Sequence, residues 1–164
     1  MEKETDDISQ INWLSIEVFT DKDNIFSEEV FFYLLKDNLS YVYKDKHLLI
    51  ALCICSYEKQ KDIIAIDVFC LKQEYRRKGL GTSLLNSCIN NCIKNGYQKF
   101  SLYVVTTNEK AINVYKKIGF KISKKIDNYY NKDAPPDNDA YLMVLDKTNN
   151  EKSETNKIKE IQDY

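Results

Sequence analysis

The sequence is short of several things that common functions require. Its 164 residues include 4 glycines, 2 prolines and 1 histidine, and of its 24 lysines and arginines only Arg76 and Arg77 are arginines. The basic residues face 25 acidic ones, leaving a net charge of -1. That argues against a general polyanion binder, because nucleic-acid affinity rests on a basic face. The longest apolar run, Leu48 to Cys55, falls far below the roughly 18 residues of a membrane span. The polar, acidic start from Met1 to Asp7 lacks the basic and then apolar pattern of a secretory signal. The expectation is a cytoplasmic protein, with the nucleus as the alternative compartment, and neither a membrane nor a nucleic acid as a direct partner.

A disulfide framework is also missing. The 5 cysteines are odd in number and sit inside apolar patterns rather than in loops, which speaks against paired, secreted chemistry. Cys53 and Cys55 lie two apart on a strand-like run, Cys88 and Cys92 four apart on a helix-like one. Four such thiols could in principle bind zinc, but the spacing is not that of a zinc knuckle. The sequence therefore reads them as small core side chains, and no metal is expected.

What is present is enough for one buried core and too little for two domains. A single domain over residues 1–146 is expected, followed by a polar tail over 147–164. Two helices, about Asp7 to Phe19 and Ser27 to Lys36, precede a hairpin of Leu39 to Lys44 with Leu48 to Tyr57. Ile63 to Leu71 reads as a buried strand. From Gly79 to Asn95 the apolar positions Leu80, Leu84, Leu85, Cys88, Ile89, Cys92 and Ile93 recur with helical spacing, and Gly96 is placed to end the helix. A strand at Phe100 to Val105, a helix capped by Asn108 and ended by Gly119, and strands at Phe120 to Ile126 and Ala140 to Leu145 complete the order. His47, the only histidine, stands at a strand entrance, away from any motif.

Scarcity makes one turn conspicuous. Tyr75-Arg76-Arg77-Lys78-Gly79-Leu80-Gly81-Thr82 holds both arginines and two of the four glycines, at a strand-to-helix junction. A helix N-terminus offers unpaired amides and partial positive charge to an anion. Gly79 and Gly81 leave room for close approach, and Arg76, Arg77 and Lys78 add charge, so the turn suits a pyrophosphate. It is not a Walker A loop, because no lysine follows Gly81, and it is not a dinucleotide fingerprint, which would need Gly or Ala at Leu84 and a strand-end carboxylate. The plainer alternative is a basic surface turn with incidental glycines.

This turn resembles the acetyl-CoA signature of the GNAT acetyltransferase superfamily, Gln/Arg-x-x-Gly-x-Gly/Ala, through Arg76, Gly79 and Gly81. The likeness continues through Thr106 to Phe120, which is similar to the family's segment of Asn, Ala, Tyr and Gly-Phe around the pantetheine arm. The resemblance implies an α/β (α+β) fold, a mixed central sheet flanked by helices, with acetyl-CoA wedged between splayed parallel strands, here Ile63 to Leu71 and Phe100 to Val105. A first strand before the opening helix is not evident. The resemblance further implies that acetyl-CoA meets Cys70, Leu71, Arg76, Arg77, Lys78, Gly79, Leu80, Gly81, Thr82, Asn108, Ala111 and Tyr115.

Asn128-Tyr129-Tyr130 followed by Asp139-Ala140-Tyr141-Leu142-Met143 is similar to the ending of protein N-terminal acetyltransferases. That likeness implies an acceptor groove formed by Ile66, Tyr129 and Tyr130, a protein or peptide N-terminus as acceptor, and an auxiliary or ribosome-docking subunit as partner. The acid–base arithmetic agrees, since roughly 15% of α-amines are neutral at pH 7 against about 0.04% of lysine side chains. The family's usual Glu or Tyr near the start of the splayed strand appears here as Ile64-Ala65. Asp67, on the face of Ala65, or Tyr103 is left as the deprotonating group; the alternatives are a hydrogen-bonded strand kink and a groove wall. Tyr115 is expected beside the CoA sulfur as proton donor, unless it only packs with Ala111 and Ile118. Competing readings are a lysine or small-molecule amine acetyltransferase, and a CoA-binding module with little catalysis.

Overall fold

Residues 48–58 read Leu-Leu-Ile-Ala-Leu-Cys-Ile-Cys-Ser-Tyr-Glu, apolar at almost every position. A strand without polar alternation has to be covered on both faces. A computed structural model, which describes residues 41–45, 48–130 and 138–148, places it accordingly. The segment is β2 (Leu48–Glu58), set between β1 (Tyr41–Asp45) and β3 (Ile63–Leu71), and its positions Ala51 through Cys55 are fully buried. The chain continues through α1 (Leu80–Lys94), β4 (Lys99–Val105), α2 (Glu109–Ile118), β5 (Lys121–Ile126) and β6 (Ala140–Asp146). The six strands form one mixed sheet in the order β1-β2-β3-β4-β6-β5. The two helices anticipated before the hairpin, residues 39–40, His47 and most of the tail lie outside the described residues.

All neighbours pair antiparallel except β3 and β4. A parallel pair needs a crossover, and α1 supplies it. This helix buries Leu85, Cys88, Ile89 and Cys92, the stripe that 3.6-residue periodicity puts on one face. These residues join Ile64, Ile66, Phe100, Leu102 and Met143 in the core. The helices end where glycine was expected to end them, with Gly96 and Gly119 both at positive φ. One short 3-10 turn, Gln73–Tyr75, was not foreseen between β3 and α1.

The feature that creates a site is the brevity of the parallel pairing. β3 and β4 are matched only at Ile64 with Phe100, Ala65 with Ser101, and Ile66 with Leu102. β3 runs on to Leu71 along β2, and β4 runs on to Val105 along β6. The two strands therefore separate after Ile66 and Leu102, each held by its other neighbour. A β-bulge marks the point of departure: Cys55 faces Ile66 and Ile54 faces Val68, so Asp67 has no partner on β2. Bulges bend a strand and re-aim a side chain, and both effects are needed here.

Candidate active site

The floor of the gap is backbone. Beyond Ile66, β3 is paired only on its β2 side, so the edge facing β4 carries main-chain groups without a ladder partner. At its far end the turn into α1 is built by two left-handed residues, Arg77 at φ 62° and Gly79 at φ 78°. Gly79 caps the helix with no side chain assisting. The first helical bond runs from the Ser83 amide to the Gly79 carbonyl at 3.2 Å. The amides from Arg77 through Thr82 accordingly have no acceptor among the described residues. Donors converging at a positive helix end form a fitting cradle for a diphosphate.

The two glycines serve different ends. A Cβ at Gly79 would meet nothing within 4 Å, so glycine is demanded there by conformation alone. A Cβ at Gly81 would lie 3.8 Å from Leu71 Cδ2, an ordinary contact, with no positive φ to support. The arginines also divide. Arg76 Nε donates to the Leu71 carbonyl at 2.8 Å, tying the turn to the end of β3, and Arg76, Arg77 and Lys78 are all exposed. The ammonium of Lys78 lies 5.7 Å from the Tyr75 ring centre. Asn108 is engaged as well, since its side chain accepts from the Ala111 amide at 3.2 Å and caps α2.

Cys70, near the end of β3, is buried, and burial pushes its thiol up to about 12, against smaller opposing effects of the Leu52 backbone and Arg76. A neutral thiol of that kind is a poor nucleophile. Tyr115 packs against the core with its ring 6.1 Å from Phe120 in an edge arrangement. Burial raises its hydroxyl well above the ordinary phenol range, so it stays protonated, and the hydroxyl has no hydrogen-bond partner among the described residues. Ile66 lies in the core with its side chain buried, which leaves its backbone as the part able to line a groove.

The other end of the gap is made of side chains. Tyr103, the first residue of β4 beyond the parallel pairing, stacks on Tyr129 with ring centres 4.4 Å apart and planes 12° from parallel. Tyr130 stands edge-on to Tyr129 at 5.0 Å. Asp139 secures this pair from below. Its Oδ1 accepts from the Asn128 amide at 2.9 Å, and its Oδ2 pairs with Lys125 at 2.5 Å. The Tyr130 amide donates to the Asn138 carbonyl at 2.9 Å. Burial, and secondarily Tyr129, pushes the Tyr130 hydroxyl up to about 12.

Asp67 belongs to this end. Its residue as a whole is accessible, but its carboxyl is partly enclosed, and that desolvation raises its pKa. The Ser56 hydroxyl, hydrogen-bonded to it, pulls the other way, and the charge of Glu58 adds to the rise. Ser56 is the cross-strand partner of Ala65, so Asp67 does share the face of Ala65. The fields of Tyr103, Asp67 and Glu58 all reach the Tyr129 hydroxyl, whose pKa is raised first by burial and then by these neighbours. Ser56 and Glu58 carry no motif and were not anticipated. Counting back across the tight turn at residues 59–62 would have placed them opposite Ala65 and Ile63.

Residues 5–120 match the acetyltransferase (GNAT) family. The chain belongs to that family. Among individual relatives, N-alpha-acetyltransferase 50 of Danio rerio is 40% identical over 81 residues, covering 49% of this chain and 48% of that protein. An N-alpha-acetyltransferase of Sulfurisphaera tokodaii is 38% identical over 88 residues, 52% of this chain and 48% of its own. These matches span about half the length of each relative. Among solved structures, the ribosomal-protein-S18-alanine N-acetyltransferase from Escherichia coli superposes with a TM-score of 0.76 at 24% identity, covering 87% of this chain and 89% of that one. Arabidopsis thaliana Naa50, solved with the bisubstrate analogue CoA-Ac-MVNAL, gives 0.71 at 25% identity over 85% and 91%. The mixed, splayed sheet is thus the GNAT fold. No helix among the described residues is long and apolar enough to cross a membrane.

Proposed function

We propose that this GNAT protein transfers an acetyl group from acetyl-CoA to the α-amine of protein N-termini, by direct attack with both substrates bound. Acetyl-CoA supplies the activated acetyl thioester. The amides and charges from Arg76 to Thr82 hold its diphosphate, and the unladdered edge of β3 at Cys70 and Leu71 pairs with its pantetheine arm. Asn108 and Ala111 shape the start of α2 beside that arm, and Tyr129 and Tyr130 hold the backbone of the acceptor. Asp67 first takes a proton from the ammonium through water, freeing its lone pair; as the nitrogen then bonds to the acetyl carbon and the carbon–sulfur bond breaks, Tyr115 gives a proton to the departing sulfur and regains one from the nitrogen through water. Tyr103 forms the wall opposite Asp67 and is the second candidate base.

The observation that carries the reading is the placement of Asp67 on a bulge where β3 leaves β4, across from the stacked Tyr103 and Tyr129. A carboxylate and an aromatic wall at the mouth of a cofactor gap suit a cationic amine at the end of a peptide. The names of the Danio rerio and Sulfurisphaera tokodaii relatives support the same acceptor. Residues 1–146 form the catalytic domain in this reading, working in the cytoplasm with an auxiliary or ribosome-docking subunit. The test is acetyl transfer to peptides with free or blocked N-termini, read by mass. Free N-termini are expected to react; reaction only of blocked, lysine-bearing peptides, or CoA binding with no transfer, overturns the proposal.

A further inference from the structure

Four of the five cysteines lie in the core where β2 packs on α1. Strand alternation puts Cys53 and Cys55 on one face of β2, and helical spacing puts Cys88 and Cys92 on one face of α1. The fold packs those two faces together. Cys53 Sγ lies 3.3 Å from Cys88 Sγ and 3.7 Å from Cys55 Sγ, and the Cys55 to Cys88 distance is 3.8 Å. Cys92, one turn beyond Cys88, is buried as well, and the Tyr41 hydroxyl is 3.7 Å from its sulfur. All four are free and buried.

From these distances we propose that Cys53, Cys55 and Cys88 form three ligands of a structural zinc site clamping β2 to α1, with Cys92, one turn further along the same helix face, as the fourth. Zinc–sulfur bonds of about 2.3 Å in a tetrahedron require sulfur atoms about 3.8 Å apart. The Cys53, Cys55 and Cys88 sulfurs are already close to that arrangement, while a disulfide would need about 2.05 Å. The donor set is all sulfur, which selects zinc and other soft or borderline ions over magnesium or calcium. Neither the strand spacing nor the helix spacing resembles a zinc motif when read alone, so only the packing of the two elements reveals the site. On binding, each coordinating sulfur forms one bond to the metal as its S–H proton passes to solvent, and no electron changes hands. The Tyr41 hydroxyl is placed to donate to the resulting thiolate charge at Cys92.

The clamp has a mechanical consequence. Cys55 is paired with Ile66, the last residue before the Asp67 bulge, and α1 begins at the diphosphate turn. Fixing β2 to α1 therefore fixes both ends of the gap to one anchor. A buried site of this kind loads as the chain folds.

The experiment uses the full chain purified under reducing conditions without added chelator, with zinc measured by plasma emission against protein concentration. One zinc per chain is expected, with a lower melting temperature after the chain is refolded in chelator and recovery when zinc alone is returned. Refolding with cobalt alone should give the visible bands of tetrahedral thiolate coordination. Cys53→Ser and Cys88→Ser should lose the metal, while Cys70→Ser, at a buried thiol outside the cluster, should keep it. If either cluster variant does not fold, the wild-type measurements still decide. Wild-type protein that carries no stoichiometric zinc and gains no melting temperature from zinc on refolding overturns the proposal. So does a chain lighter by two hydrogens through a Cys53 to Cys88 disulfide.

Discussion

The two ends of the gap between β3 and β4 are made of different materials. At the end proposed to hold the diphosphate the donors are main-chain amides, held by two left-handed residues and by one arginine bonded to the Leu71 carbonyl. At the proposed acceptor end the groups are side chains from β2, β3, β4 and the segment after β5. A backbone site tolerates a change of side chain and fails when φ is altered. A side-chain site does the opposite. The boundary between the two falls at Tyr115, whose ring belongs to the core and whose hydroxyl remains available.

The sharpest cut along that boundary is Tyr115→Phe. Losing a general acid costs on the order of a hundredfold in rate, so kcat should fall by about that factor while CoA affinity, measured by calorimetry, holds. A loss of CoA affinity with kcat unchanged would move Tyr115 into the binding half. Asp67→Asn comes next. The base must be ionised to accept a proton, and desolvation holds this carboxyl above its ordinary value, so activity should climb as pH rises through that raised pKa. In the variant the acid limb that belongs to Asp67 should disappear, leaving the one set by the acceptor's own α-amine at about 8, and the rate at neutral pH should fall by roughly tenfold to a hundredfold. A lower limb that survives in Asp67→Asn and vanishes in Tyr103→Phe would reassign the base.

At the diphosphate end the contrast lies between two glycines. Gly79→Ala forces a Cβ into a left-handed conformation at about 1–2 kcal/mol, which corresponds to roughly tenfold in CoA affinity if the amides shift to relieve it. Gly81→Ala adds a methyl at ordinary contact distance from Leu71 and should change affinity by no more than about twofold. Equal effects at both positions would mean that open space, rather than conformation, is what the turn provides.

The same contrast explains what could be read in advance. The turn proposed to hold the diphosphate stands out because it is local: eight consecutive residues contain both arginines and two glycines in a chain that has few of either. The strand and helix order followed for the same reason, from periodicities that close within one element. The acceptor end was legible only in its tyrosines. The Asp67 bulge is fixed by register against β2, and Ser56 and Glu58 reach the site across a hairpin turn, so their meeting depends on strand pairing and on a register shift that no spacing or motif announces. Arg76 was anticipated as a phosphate ligand, and its bond to the Leu71 carbonyl became visible only when the turn closed. The thiols follow this rule most clearly, since two unremarkable spacings become one cluster through packing.

The smallest expected effect tests how the acceptor side chains are held. Asp139 touches no reacting group; it fixes the Asn128 amide and Lys125 beneath Tyr129 and Tyr130. Lys125 first, and then the Asn128 amide, hold its carboxyl below the ordinary carboxylate range. A carboxyl lowered by folding stabilises the fold above its unfolded pKa and loses that contribution as pH falls through the folded one, so the hairpin base should loosen only below the usual range for aspartate. At neutral pH Asp139→Asn keeps an acceptor for the Asn128 amide and gives up the ion pair. Exposed pairs are weak, and the peptide KM should rise about twofold with kcat and CoA affinity unchanged. Asp139→Ala removes both partners and should raise KM further. If the two variants behave alike, the ion pair carries the positioning and the amide bond does not; if neither moves KM, the tyrosines are held by their own stacking on Tyr103.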